Sequence, residues 1–383
     1  MPGGGREPSL LLKREGALVW RKAGARSGDQ MTRAIRPLLL SASLGSLLGC
    51  GSARAPTGAA DAGGGSDAGG GDAGLCDKSP VGFVSLPADD GAHSVPVEWW
   101  YWTGHLETPD GGRFGFEEVF FSMNEGGVPG QAVHHAITDV GNGTFHYGSS
   151  DQLGAPVAVP DGYDLSLGGM TAKGGGGHDT LHGGADSYAL DLTLAAEKPP
   201  VLQYDGGYTS YSFGGDTYYY SRERMAATGT IALGGDGGSE VVPVSGTAWF
   251  DHQWGALDNA IATGWDWFAI QLDDDRELML FRIRANGGTA LASGSYANAQ
   301  CAVTQLGEND FQISQLGSWT SPHDGCVYPS GWTVKVAGMT LTITPAVLDQ
   351  ELKTPEATYW EGDSTVSGDA TGRAYVELTG YCP

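Results

Sequence analysis

Residues 246–272, GTAWFDHQWGALDNAIATGWDWFAIQL, hold four of the chain's eleven tryptophans, three aspartates and a histidine between strand-like ends. Successive side chains of a strand point to opposite faces. Read that way, 248–254 places Phe250, His252 and Trp254 on one face and Trp249, Asp251 and Gln253 on the other. The same reading of 266–272 sets Asp266 beside Phe268, Ile270 and Leu272. A carboxylate on an apolar face is costly to ionise, so its pKa rises and it becomes a candidate proton donor. The competing reading is a carboxylate that caps a turn or pairs with a neighbour.

Outward from this stretch, the chain reads as β from residue 81 onward. Short runs rich in Val, Tyr, Phe, Trp and Thr are separated by glycine and aspartate. Residues 99–106 and 113–122 flank Thr108-Pro-Asp-Gly-Gly as one hairpin; 268–272 and 277–284 flank three aspartates as another. Further strands are expected at 217–225, 229–233, 332–336 and 340–344. Helical periodicity is confined to 345–352. Many short strands with tight turns imply barrels or sandwiches, and about 300 residues of them imply two units. We therefore expect an all-β chain with domains at 77–250 and 251–383, joined near residues 246–254.

Ahead of the folded part, residues 1–30 read as an unstructured extension from a start codon placed too early. Residues 31–50 read as a secretory signal: Arg33 and Arg36, an apolar run, then Leu47-Leu48-Gly49-Cys50. That ending resembles the lipobox of bacterial lipoproteins, which implies cleavage before Cys50, lipidation of its thiol and, with Gly51 following, an outer-membrane address. Residues 51–76 form a Gly/Ala/Asp linker with nothing to bury. Without residues 1–49, 13 basic residues face 42 acidic ones, a net charge near −29. Such a surface repels nucleic acid. The expected partners are a hydrophobic small molecule and, through the lipid anchor, a membrane; a monomer is expected.

Four further cysteines, Cys76, Cys301, Cys326 and Cys382, suggest two disulfides with three possible pairings. The favoured pairing is Cys301 with Cys326 locally and Cys76 with Cys382 closing the ends. None forms the close pairs that zinc sites use. His178 and His182 have a helical metal-ligand spacing, but the glycines around them disfavour a helix, and 168–184 reads as a hairpin. His134 and His135 are adjacent on a strand and face opposite ways, so they cannot chelate together, and either one is a candidate pocket residue. No phosphate-binding loop, dinucleotide fingerprint or nucleophile elbow is present.

Several blocks resemble one family. Val97-Glu98-Trp99-Trp100-Tyr101-Trp102-Thr103-Gly104-His105-Leu106 resembles the opening signature of the AttH/CrtC group of lipocalin-like proteins. So do Tyr219-Tyr220-Ser221-Arg222, the block from Val244 to Gly255, Tyr359-Trp360-Glu361-Gly362 and the block from Gly372 to Tyr381. The resemblance implies two tandem lipocalin-like β-barrels with an apolar pocket near their junction. The group includes carotenoid 1,2-hydratases (hydroxyneurosporene synthase-like proteins), in which an aspartate protonates a carbon–carbon double bond with help from a His-x-Trp pair. Asp266, His252 and Trp254 stand at those motif positions, with Gly264 where the hydratases carry a tyrosine. The implied catalytic pair is Asp266 and His252. Trp254, Trp265, Glu98, Trp100 and Trp102 are the implied substrate-binding residues, with Trp254, Trp265 and Trp267 as the cation-tolerant wall. Such chemistry requires no metal and no cofactor. A binding protein without turnover, carrying a hydrophobic ligand, is the alternative.

Overall fold

The computed structural model describes residue 76 and residues 79–186, 188–234, 240–257, 264–285 and 288–382. The extension, the signal with Cys50, and the linker up to Cys76 lie outside the described residues.

Two large antiparallel sheets, of 13 and 10 strands, account for most of the structure. At the centre of the first, Val97–Glu107 lies between Arg113–Glu125 and Glu240–Ala256, and the last of these pairs onward with Asp216–Leu233. The sheet curls until Val128–Asp139 packs on His178–Ala185, closing a barrel. In the second sheet Trp265–Leu272 lies between Glu277–Ala285 and Gly372–Leu378, with Thr358–Gly368 beyond. The all-β, two-barrel expectation holds.

Strand alternation explains where the cores lie. Even-numbered residues of Val97–Glu107, including Trp100, Trp102 and Leu106, fill the first barrel with Phe250 and Tyr220. Phe268, Ile270, Trp332, Trp360 and Val376 fill the second. A third cluster takes the opposite faces: Tyr101, Tyr219, Trp249, Trp267, Phe281 and Tyr375 pack between the barrels. Only Trp99 and Glu107 of the Val97–Glu107 strand escape full burial. Antiparallel sheets commonly leave one face to water. Here the second barrel covers the outer face of the first, so both faces of the central strands are interior.

Local structure departs from the sequence reading at four places. Residues 345–352 are not helical: Ala346 N–H bonds the Asp363 carbonyl at 2.8 Å across the sheet, and a new strand, Glu351–Lys353, begins. Among the described residues the helical element is one 3-10 turn, Ala88–Asp90. The two strands expected at 217–233 are one, Asp216–Leu233, bent by a β-bulge between Arg222 and Met225. Residues 251–256 belong to the first sheet, so the division between units falls after Ala256 and not at 250.

The cysteine pairing also differs. Cys76 bonds Cys301 and Cys326 bonds Cys382. The leading segment crosses to the turn around Cys301, while the chain's end returns to the Cys326 turn of the second barrel, so neither favoured pair comes together. By the chain-entropy estimate these closures stabilise by about 4–5 kcal/mol each. Non-reducing peptide mapping should recover a Cys76–Cys301 and a Cys326–Cys382 peptide; a Cys301–Cys326 peptide would contradict this arrangement.

Candidate active site between the two barrels

Because the odd-numbered residues of the central strands face the neighbouring barrel, they alone can line a space between the two. A cavity of about 150 Å³ lies there. Trp99, Tyr101, Phe121, Tyr219, Asp251 and Gln253 line it from the first barrel; Trp265, Trp267, Phe281, Ile283, Tyr359 and Glu377 line it from the second. A cavity of this size accommodates a single six-membered ring.

Two carboxyl groups interrupt the aromatic lining from opposite sides. Asp251, opposite Tyr101 in the strand register, accepts hydrogen bonds from Trp249 Nε1 at 2.7 Å and from the Tyr219 hydroxyl. Burial pushes its carboxyl up to about 6, against the pull of those donors and of Ser221. Glu377, opposite Trp267, is pushed up to about 7 by burial, lowered by a hydrogen bond from Trp265 and raised by the charge of Asp251. Trp267 Nε1 donates to the Tyr219 hydroxyl at 3.2 Å, so the wall around Asp251 is tied across the barrel junction.

At the other end the lining is polar. His134 Nδ1 lies 2.8 Å from the Tyr359 hydroxyl and its Nε2 3.3 Å from Glu356. Behind Tyr359 and Tyr101 sit Glu117 and Glu361, the latter accepting from the Tyr101 hydroxyl. Burial holds both glutamates well above the ordinary carboxylate range, and the neighbouring carboxyl groups add to the shift.

The residues expected to form one site divide between three places. Trp265 lines the interface cavity. His252, Trp254, Glu98, Trp100 and Trp102 face the interior of the first barrel instead, where His252 Nε2 lies 2.9 Å from Glu98 Oε1 and its ring stacks on Trp100 at 4.8 Å. Asp266 is buried on the inner face of the second barrel, as the alternation predicted, but Arg282 Nε holds it at 2.6 Å, with Arg284 and the Tyr381 hydroxyl on its other oxygen. Asp266 therefore does not meet His252 or Trp254: the inner faces of two separate barrels have no common space. The arrangement is a structural ion pair. Gly264 is required where it stands, since its φ is +90° and a Cβ there would sit 2.2 Å from the Thr379 carbonyl oxygen.

Asp251, Glu377, Tyr101 and Tyr219 are cavity residues to which the sequence reading gave no role, whereas His134, a candidate pocket residue, does line the cavity. Their signal was present, because Asp251 falls inside the quoted stretch on the face of Trp249 and Gln253. His134 and His135 do face opposite ways, toward Tyr359 and Glu118 respectively. His178 and His182 lie on one strand roughly 13 Å apart by strand rise, too far to share an ion. Two clusters of metal-type ligands occur among the described residues. One, around Cys326 and Cys382, has its sulfurs in a disulfide; the other is His93, Glu98 and His252.

Comparison with known proteins supplies relatives. A family model described as AttH-like matches residues 78–381. A crystal structure of an AttH protein from Nitrosomonas europaea is 30% identical, with a TM-score of 0.71, covering 80% of this chain and 98% of that one. Kievitone hydratase from Nectria haematococca is 16% identical with a TM-score of 0.59, covering 79% of this chain and 97% of that one, a likeness of fold. Among curated proteins nothing matches the chain.

The two cavity carboxyls make stability pH-dependent in a defined sense. Unfolded, they release their protons near their ordinary values of 3.8 and 4.5; folded, they hold them to about 6 and about 7. Their contribution is fully present below the unfolded values and is lost as pH rises through the folded ones. Thermal unfolding followed by circular dichroism should show the midpoint falling from about pH 5 to 8, each group adding a slope of up to roughly 1 kcal/mol per unit. Glu377→Gln cannot ionise and should fall less steeply, although both proteins share the general repulsion of an acidic chain. Equal slopes would remove Glu377 from this account.

Proposed function

The chain belongs to the AttH-like family, and on that premise we propose that it is an acid–base catalyst that adds water to a compact unsaturated apolar molecule held between its barrels. One observation carries this reading: a single aromatic cavity faces Glu377, up to about 7, from one barrel and Asp251, up to about 6, from the other. Pairs of carboxyls whose environments set them apart divide into acid and base. Glu377, the weaker acid, keeps its proton to higher pH and is assigned the acid's role, and Asp251, which ionises first, the base's.

The chemistry balances without a redox partner. Glu377 gives its proton to one alkene carbon, leaving a carbocation on the other. Trp99, Trp265 and Trp267 face that cation, each worth about 0.5–2 kcal/mol. Water adds to it, Asp251 accepts the proton released, and the proton returns to Glu377 before the next turnover. That kievitone hydratase shares the fold supports hydration over other acid-catalysed reactions of an alkene.

A carrier without turnover is the second reading. It is favoured by one feature: both oxygens of Asp251 already accept hydrogen bonds. The two readings separate by experiment. Organic extraction of the purified protein, with mass spectrometry, identifies a co-purifying apolar compound. Incubating that compound with the protein in ¹⁸O-labelled water should give a labelled alcohol. Glu377→Gln should bind the compound as before but turn it over at least about 100-fold more slowly, the lower end of what general acids contribute. Binding with no labelled product from the wild type would establish the carrier.

We further propose that the protein is exported and anchored by lipid on Cys50, at the outer membrane of a bacterium. The motif at residues 47–50 supports this. Cys50→Ser should move the protein from the detergent phase to the aqueous phase on Triton X-114 partitioning; unchanged partitioning counts against an anchor.

A further inference from the structure

The trio His93, Glu98 and His252 lies apart from the interface cavity, and nothing in the proposed reaction uses it. Glu98 and His252 are fixed by strand register. Glu98 pairs with Trp254 and Trp100 pairs with His252, so the two side chains are diagonal neighbours on the inner face of the first barrel. His93 reaches them from the segment just before the strand, its ring stacked flat on Trp254 at 4.2 Å. Glu98 Oε1 is 2.7 Å from His93 Nδ1 and 2.9 Å from His252 Nε2, and the three ligand atoms all lie within 4.8 Å of one another.

Charge is the unusual feature. Glu98 is completely buried, yet its ion-pair partners are the two histidines; no lysine or arginine pairs with it among the described residues. The nearby Arg222 is committed to Asp90. A buried carboxylate is costly unless paired, and a divalent cation supplies the missing charge. The remaining oxygen of Glu98 is fixed by the His93 backbone N–H at 2.9 Å. Beyond His93, Asp89 lies 3.6 Å from Nε2, where an outer carboxylate orients a ligating imidazole. Tetrahedral zinc with bonds of about 2.0–2.1 Å sets its ligand atoms roughly 3.3 Å apart. The two Glu98–histidine distances must each lengthen by about half an ångström to reach that spacing, and His93, on a loop and partly exposed, is the ligand placed to move.

We propose that His93 Nδ1, Glu98 and His252 Nε2 form a two-histidine, one-carboxylate site for a borderline divalent transition ion such as zinc or cobalt. Bound there, the ion pins the segment before the first long strand to the mouth of the barrel. The site is independent of turnover at the interface, so neither proposal stands or falls with the other.

The test is a titration of the chelator-treated, full-length protein with cobalt(II) alone, read by visible absorption and calorimetry. The expected result is one site per chain with micromolar or tighter affinity and d–d bands of a nitrogen-ligated, low-coordinate ion. His93→Ala, on the half-exposed loop, should abolish the bands and weaken binding at least about tenfold, the scale lost when even an outer partner of a ligand is removed. Glu98→Gln should do the same if it folds, and His93→Ala decides the matter if it does not. No saturable binding by the wild type, or bands unchanged in His93→Ala, would overturn the proposal and leave a hydrogen-bonded triad.

Discussion

A strand has two faces, and in this protein neither face of the central strands meets water. That constraint organises the molecule. Once the inner faces of two barrels are filled by tryptophan, phenylalanine and leucine, their outer faces must find cover, and they find it in each other. The sequence responds by making those outer faces aromatic but not uniformly apolar. Tyr101, Tyr219, Tyr359 and Tyr375 bring hydroxyls into the junction, and Asp251, Glu117, Glu361 and Glu377 bring carboxyls.

Among the described residues those carboxyls have no cationic partner close by, unlike Asp266, Asp90 and Glu277, each of which is held by arginine or lysine. An unpaired buried carboxyl escapes most of its desolvation cost by staying protonated. The junction thus stores protons in a place that water reaches poorly. Donors such as Trp249, Trp265 and the tyrosines keep the groups oriented. The physics that makes burial tolerable also supplies what proton transfer to an apolar ligand needs, which is a neutral acid with a free face.

Much of this was legible in the sequence. The alternation through residues 248–254 placed every side chain on its correct face, the two long hairpins form, and the family signatures named the architecture. What failed was the step from face to site. Asp266 lies on the apolar face of its strand as read, but alternation is blind to what stands on the next strand. Arg282 stands directly opposite Asp266 in the register, and Arg284 follows it two residues on. Two apolar faces look alike in sequence whether they line the same space or the interiors of separate barrels. For the same reason Asp251 was passed over: its face reads as a strand's outer side, and only a second barrel makes that side interior. The disulfides were beyond reach by logic of a different kind, since the order of cysteines along the chain carries no information on which turns approach.

The cavity's division between the barrels has a consequence of its own. Asp251 comes from one barrel and Glu377, with Glu356, from the other, so neither barrel alone encloses the cavity or brings both raised carboxyls to it. Docking of the barrels is therefore a precondition of any chemistry here. It is also coupled to proton uptake, because Glu377 and Asp251 acquire their raised affinities for protons only when both walls exclude water. An apolar ligand that displaced remaining water from between the walls would deepen the same desolvation and keep the proton on Glu377, with the ligand rather than water facing the acid. Affinity for the ligand and the protonated fraction of the acid would then rise together, from one cause, at the place where two sheets cover each other.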